Sequence, residues 1–267
     1  MFSFIDKKYN NFDLKILKSD IFSEGIEHFF TTRVGGDTPK PLNDFTLSAK
    51  DFIEYRDFEI KNQKIACEII GGNFENFIMP NQQHTDNIAL IKTKEDIRKL
   101  KEEPFDGVVT NLKGFPVCLV FADCVPVLLF DEKKKVLSCV HAGWKGTAKS
   151  IVKKAVNIMQ NEFLCEVKDI KCAIGPAIGS ECFEVNSDVA SQLAMTVKNN
   201  CGNIFISRGG KTHVGLKELN KEQLNEAGVF AVDVCEYCTS CKNDLFYSYR
   251  ADKRCTGRHG MLAIIKE

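Results

Sequence analysis

The chain has 267 residues, 44% apolar and 27% charged, the proportions of an ordinary folded protein with enough length to bury its own core. Lys plus Arg and Asp plus Glu each number 36, so the formal net charge is zero. Bulk attraction to nucleic acid or to an anionic membrane is thereby excluded, and any anionic ligand must meet a local cluster of cations.

At the N-terminus, Met1–Ile5 is apolar, but Asp6, Lys7 and Lys8 follow at once and leave no secretory h-region. A cytoplasmic location follows as the expectation, with the twelve cysteines reduced. Cys118, Cys139 and Cys172 lie inside apolar stretches and read as small core residues. Lys94–Glu103 is charged, with Ile97 and Leu100 three apart, and predicts a solvated helix. Val108–Thr110, Val117–Phe121, Val125–Phe130 and Val136–Val140 are short, β-branched or aromatic runs bounded by Gly, Pro or charge, and predict strands. Gly114–Phe130 is nearly uncharged but contains Pro116, Asp123 and Pro126. At 17 residues it predicts two buried strands around a turn, not a membrane span. Thr147–Asn161 places Ile151, Val152, Ala155, Val156 and Met159 on one face and predicts a helix. Ser187–Val197 and Leu216–Ala227 predict two more, and Met261–Ile265 a last strand. No linker or internal repeat divides the sequence. One α/β domain over 1–267 is expected, its hairpin-length strand spacing pointing to a partly antiparallel sheet.

Several motifs fail on inspection. Gly210-Lys211-Thr212 ends like a P-loop, but the required upstream Gly is Phe205. Ser150-Ile151-Val152-Lys153 fits S-x-x-K inside an amphipathic helix, where a core face explains it equally well. Cys235-x2-Cys238-x2-Cys241 has zinc-compatible spacing, with Cys255 or His259 as a fourth ligand, or else is a plain thiol-containing loop. The five histidines, His28, His84, His141, His213 and His259, form neither His-x-His nor His-x-Glu. That excludes the usual zinc deaminase signature and argues against a multicopper oxidase.

Three polar loops on apolar elements carry the chemistry. Pro80–Thr85 presents His84 in a turn, Ala122–Pro126 places Cys124 at a break between strands, and Val140–Thr147 sets His141 between a strand and a helix. Gly143 and Gly146 allow close backbone approach, and the helix start near Thr147 offers free N–H groups. His84, Cys124 and His141 together form a His₂Cys set that suits zinc with an open fourth position. Alternatively, Cys124 is a direct nucleophile with a histidine as its base. The cations available for an anionic substrate are Arg33 in TTRVGG, Lys145, Arg250 and Arg258. The plain alternative for each is a solvated surface cation.

These segments resemble the YfiH family, also called the laccase-domain or peptidoglycan-editing-factor family. Its words Q-x-H, D-G-x-x-T, A-D-C-x-P, H-A-G-W-[RK]-G, I-G-P-x-I, S-Y-R and T-G-R stand here at Gln82–His84, Asp106–Thr110, Ala122–Pro126, His141–Gly146, Ile174–Ile178, Ser248–Arg250 and Thr256–Arg258. Thr31–Gly36 matches T-T-R-x-G-G, and Lys145 stands where Arg is frequent. The resemblance implies an α/β layered sandwich with sheets between helices, and zinc bound by His84, Cys124 and His141. It implies a purine nucleoside phosphorylase acting on adenosine, inosine and S-methyl-5′-thioadenosine with phosphate, with adenosine deaminase activity alongside. It places Arg33 and Arg250 inside family words, which favours them as phosphate ligands. A peptidoglycan-precursor editing hydrolase is the alternative that the family's bacterial name suggests. The old label of copper polyphenol oxidase fits five histidines poorly. Small-molecule partners are expected, with no nucleic acid and no membrane; spacing does not report the oligomeric state.

Overall fold

Alternation of apolar side chains along the strands decides the layering. In the computed structural model, which describes residues 1–50, 52–198 and 204–267, one five-stranded antiparallel sheet holds β1 (Phe2–Tyr9), β2 (Phe12–Ser19), β3 (Ile26–Thr31), β14 (His259–Ile265) and β6 (Val117–Phe121), in that order. A six-stranded mixed sheet runs β13 (Ala231–Val234), β9 (Ile170–Ile174), β7 (Val125–Asp131), β8 (Val136–Ala142), β5 (Gly107–Thr110) and β4 (Ile88–Ile91). Its outer pairs, β13·β9 and β4·β5, are parallel and its inner pairs antiparallel. A small third sheet joins β10 (Glu184–Val185), β12 (Lys211–Val214) and β11 (Phe205–Arg208).

The period of two then assigns each face. Val117, Leu119 and Phe121 of β6 and Met261, Ala263 and Ile265 of β14 pack against Leu128 and Phe130 of β7 and Leu137 and Cys139 of β8, filling the space between the sheets. The opposite residues of β14, Leu262 and Ile264, meet Ile65 and Ala66 of helix α1 (Arg56–Ile69). On the far side of the mixed sheet, Val127, Leu129, Val136 and Val140 pack under helices α3 (Ile151–Phe163) and α5 (Leu216–Glu226). Helix, sheet, sheet, helix is the resulting layer order.

Most of the expected elements form. Val117–Phe121 is β6 residue for residue, and the 114–130 run is indeed two buried strands around a turn. They belong to different sheets, however, so the turn at Ala122–Cys124 crosses from one layer to the other. The single helix expected over Thr147–Asn161 is two, α2 (Trp144–Ala148) and α3, because Ser150 adopts φ 55° and breaks the run. The Lys94–Glu103 segment is a 3₁₀ helix over Glu95–Lys101, and Ser187–Val197 forms the shorter helix α4 (Ser187–Ala194). No helix among the described residues is long and apolar enough to cross a membrane.

Candidate metal centre

Cys124, His141 and His84 meet at one end of the inter-sheet space. His141 lies on the same face of β8 as Leu137 and Cys139, at the strand's end, so its buried ring caps the core beside Phe121, with centroids 5.3 Å apart. Cys124 is the last residue of the crossing turn. His84 arrives on a loop that Gln82 sews to β6: its side-chain amide donates to Val120 O at 2.9 Å and accepts from Val120 N at 2.8 Å, as a neighbouring strand would. The two imidazoles sit edge to face, centroids 4.9 Å apart, and Cys124 Sγ is 3.6 Å from His84 Nε2. One ligand atom from each of the three residues lies within 4.8 Å of the others.

Two carboxylates hold this arrangement. Asp106, fully buried, accepts from His141 Nδ1 at 2.7 Å, from the backbone N–H groups of Gln83, His84 and Thr85, and from Thr85 Oγ1. It therefore fixes the loop that carries His84 and the tautomer of His141 together, leaving Nε2 of His141 to the cluster. Asp123 adopts φ 88° and His84 φ 58°, conformations uncommon for residues with a Cβ. Asp123 is held there by Thr239 Oγ1 and Arg250 N, each donating at 2.7 Å, and by Ile178 N on its carbonyl.

The electrostatics follow from burial and pairing. Burial pushes Asp106 up, but the bonds from His141 and Thr85 outweigh it and bring its carboxyl to about 2. Burial pushes His141 down, and the opposing charges of Cys124 and Asp106 raise it to about 9. The Cys124 thiol, which burial alone would raise, is lowered to about 6 by His141 and His84. Pairing thus favours the thiolate of Cys124 and the protonated ring of His141 against the cost of burial.

The residues fit a metal ion. A thiolate and two imidazoles are borderline-soft donors suited to zinc, and their common focus faces Gly143, where a Cβ would stand 3.0 Å from His84 Cδ2 and 3.1 Å from Cys124 Sγ. Gly143 also begins α2 in an extended conformation, φ −69° and ψ 170°, and Thr147 N donates to its carbonyl at 2.8 Å. Outside the focus, a cleft of about 620 Å³ is lined by His84, Trp144, Lys145, Lys149, Gln192 and other residues. A larger hollow, about 910 Å³, lies elsewhere on β1, β2 and the end of β14, and no histidine or cysteine lines it.

The four cations are distributed unevenly. Lys145 is exposed and lines the cleft with His84. Arg250 is exposed; its N–H holds Asp123, and its guanidinium donates to Cys182 O at 3.0 Å and Glu184 O at 3.3 Å. Arg33 stacks over Tyr247 at 4.6 Å and reaches Asn243 O, Asn43 O and the Asp252 carboxylate. Arg258 donates to Thr256 O and Gly257 O.

A family described as multi-copper polyphenol oxidoreductase laccase matches residues 27–266. The chain belongs to this laccase-like family. Laccase-like relatives include a purine nucleoside phosphorylase of Staphylococcus epidermidis, 33% identical over 246 residues covering 88% of this chain and 89% of the relative. Purine nucleoside phosphorylase YlmD of Bacillus subtilis is 29% identical, over 86% of this chain and 84% of its own. Purine nucleoside phosphorylase LACC1 of Mus musculus is 29% identical over 90% of this chain, which spans 56% of the mouse protein's length. The fold matches the crystal structure of YlmD from Geobacillus stearothermophilus with a TM-score of 0.88 at 28% identity, covering 99% of this chain and 100% of that one. The expected family and its mixed α/β fold are both present.

Asp106 and Asp123 hold the site in roles that the residue pattern does not name, whereas Gly143 makes the close backbone approach expected of its loop. A charged residue immediately before a buried strand, as Asp106 is before β5, was the available signal: such a carboxylate is buried only when it is fully bonded. The Cys235–Cys238–Cys241 run is not a three-cysteine cluster. Cys235 points into the inter-sheet core, and Cys182 takes its place beside Cys238 and Cys241. His259 is buried between Phe121 and Phe246.

Proposed function

We propose that the chain, acting as a single catalytic domain, is a zinc-dependent purine nucleoside phosphorylase that cleaves adenosine, inosine and S-methyl-5′-thioadenosine with inorganic phosphate. Adenosine deamination is proposed as a second reaction of the same site. The observation that carries the reading is the His84–Cys124–His141 focus opening into a cleft rimmed by Trp144 and Lys145, in a chain whose relatives are named purine nucleoside phosphorylases. In phosphorolysis a phosphate oxygen bonds to the sugar's anomeric carbon, the bond to the purine nitrogen breaks with its electron pair, and that nitrogen gains a proton. Little covalent help is required; positioning and charge complementarity supply most of the rate.

His84, Cys124 and His141 would hold zinc, which when bound supplies a Lewis acid at the open position. Asp106 keeps His141 oriented and its Nδ1 protonated, and Trp144 offers an aromatic face to a purine. A chain of zero net charge builds its phosphate site from local cations. Lys145, already in the cleft, is the first candidate, Arg250 beside the Cys124 turn the second. Arg33 and Arg258, half-buried where Arg250 is exposed, contribute through the loops they hold. Incubating purified protein with adenosine, with and without phosphate, tests this: adenine and ribose 1-phosphate should form only with phosphate present. Phosphate-independent release of adenine would contradict it.

The line Cys124–His141–Asp106 favours one second reading, because nucleophile, base and orienting carboxylate stand in that order. It would suit a cysteine hydrolase, including one that edits peptidoglycan precursors. A zinc-bound thiolate is a quenched nucleophile, so the two roles compete. Loss of activity to a chelator with recovery on zinc supports the metal; alkylation that abolishes activity while zinc stays bound supports the nucleophile.

A further inference from the structure

Behind the Cys124 turn lies a second set of thiols that the first site does not use. Cys182 follows the loop after β9, while Cys238 and Cys241 sit in the segment between β13 and β14, and their sulfurs lie within 4.8 Å of one another. Cys182 Sγ and Cys241 Sγ are 3.4 Å apart, well beyond a disulfide bond of about 2.05 Å, and all three thiols are free.

The backbone is shaped around these sulfurs. Lys242 N donates to Cys238 O at 2.9 Å, closing a turn that brings Cys238 and Cys241 onto one side. Gly179 N donates to Cys238 Sγ at 3.1 Å. A Cβ on Gly179 would stand 3.3 Å from Cys238 Sγ, so the loop approaches the thiol more closely than most side chains allow. Cys182 N donates to Gly179 O, folding the third thiol back over the first two. A two-residue Cys spacing in a tight turn, a backbone N–H aimed at sulfur and a third thiol from a separate segment make the geometry of half-closed zinc–thiolate sites.

We propose that Cys182, Cys238 and Cys241 form a second metal site, which takes one zinc ion as three thiolates with a fourth position open to solvent at exposed Cys241. Zinc with three thiolates carries a net negative charge, and Arg250, whose guanidinium donates to Cys182 O, stands beside it. The site's purpose follows from what it ties together. Thr239 lies between two of the ligands and donates to Asp123, the residue that precedes Cys124. Zinc here pins the 179–182 and 238–241 segments to each other and so braces the turn that carries Cys124. This inference does not depend on the proposed nucleoside chemistry.

The test removes the first site and asks whether zinc still binds. His84→Ala with Cys124→Ala, kept reduced, loaded with Zn²⁺ and dialysed, should retain about one zinc per chain by elemental analysis. Co²⁺ in its place should give a strong sulfur-to-metal charge-transfer band. Adding Cys182→Ser and Cys241→Ser should weaken zinc binding at least tenfold and abolish the band. Should that variant not fold, the parent gives the same answer: zinc should slow alkylation of Cys182, Cys238 and Cys241 together. No retained zinc, zinc unaffected by the serine substitutions, alkylation unaffected by zinc, or a Cys182–Cys241 disulfide forming in place of bound zinc would each overturn the proposal.

Discussion

Asp106→Asn isolates the carboxylate that joins the two histidines. Asp106 accepts from His84 N and His141 Nδ1 through one oxygen and from Gln83 N, Thr85 N and Thr85 Oγ1 through the other. An amide of the same size has one oxygen, so in either orientation its NH₂ confronts N–H donors. Placed toward Thr85, it opposes the Gln83 and Thr85 N–H groups. Placed toward His141, it opposes His84 N–H and forces His141 Nδ1 to accept, which moves the ring proton to Nε2 and disables the nitrogen that faces Cys124. Two hydrogen bonds to a charged group are lost either way, at about 1.5–3 kcal/mol each, so the metal-free fold should lose roughly 3–6 kcal/mol. Zinc affinity should fall about 10- to 100-fold, the usual effect of removing a carboxylate behind a ligating histidine. Urea unfolding of chelated protein and competition titration of zinc measure the two effects. An unchanged urea midpoint together with zinc affinity within about twofold of the parent would refute the reasoning.

Gly143→Ala tests the cradle: its backbone tolerates alanine, but the new methyl stands about 3 Å from His84 and Cys124. Zinc occupancy and turnover should fall, with an overpacking cost to thermal stability of about 1–3 kcal/mol; an unchanged zinc content would show that the metal focus lies elsewhere. Stability should also fall in mild acid. Burial lowers His28 from 6.5 to about 4 and His259 to about 3, so the unfolded chain binds more protons between those values and 6.5. The stabilisation is complete above pH 6.5 and is lost as pH falls, by about 1.4 kcal/mol per pH unit for each histidine. Comparing urea midpoints at pH 7 and pH 5 for the parent and His28→Leu checks it, since the variant should lose less; equal losses would contradict the burial argument.

Local pattern in the sequence predicted the central strands well, because β6, β7 and β8 are buried on both faces and bounded by turns. It did not separate the two sheets: nothing in Gly114–Phe130 says that its turn crosses from one layer to the other, a fact set by which distant strands accept each half. The break at Ser150 was hidden because its neighbours keep helical apolar spacing on either side. At the site, ligand types and loop positions singled out His84, Cys124 and His141, and the resemblance to the YfiH family joined them. The second cysteine cluster was misdrawn for a physical reason. Cys235 belongs to a strand-like segment whose side chain turns into the core, whereas Cys182 is 56 residues upstream of Cys238 and meets it through long-range contacts, the pairing of Ala177 with Cys238 among them.

The central claim is that phosphate-dependent cleavage of a purine nucleoside depends on zinc held by His84, Cys124 and His141. The most direct measurement is ribose 1-phosphate formed from adenosine and inorganic phosphate by the parent, Cys124→Ser and His84→Ala, with zinc counted in the same samples. The account predicts ribose 1-phosphate from the parent, and loss of both product and one zinc per chain in each variant. Product formation that persists in either variant after that zinc is gone would contradict it.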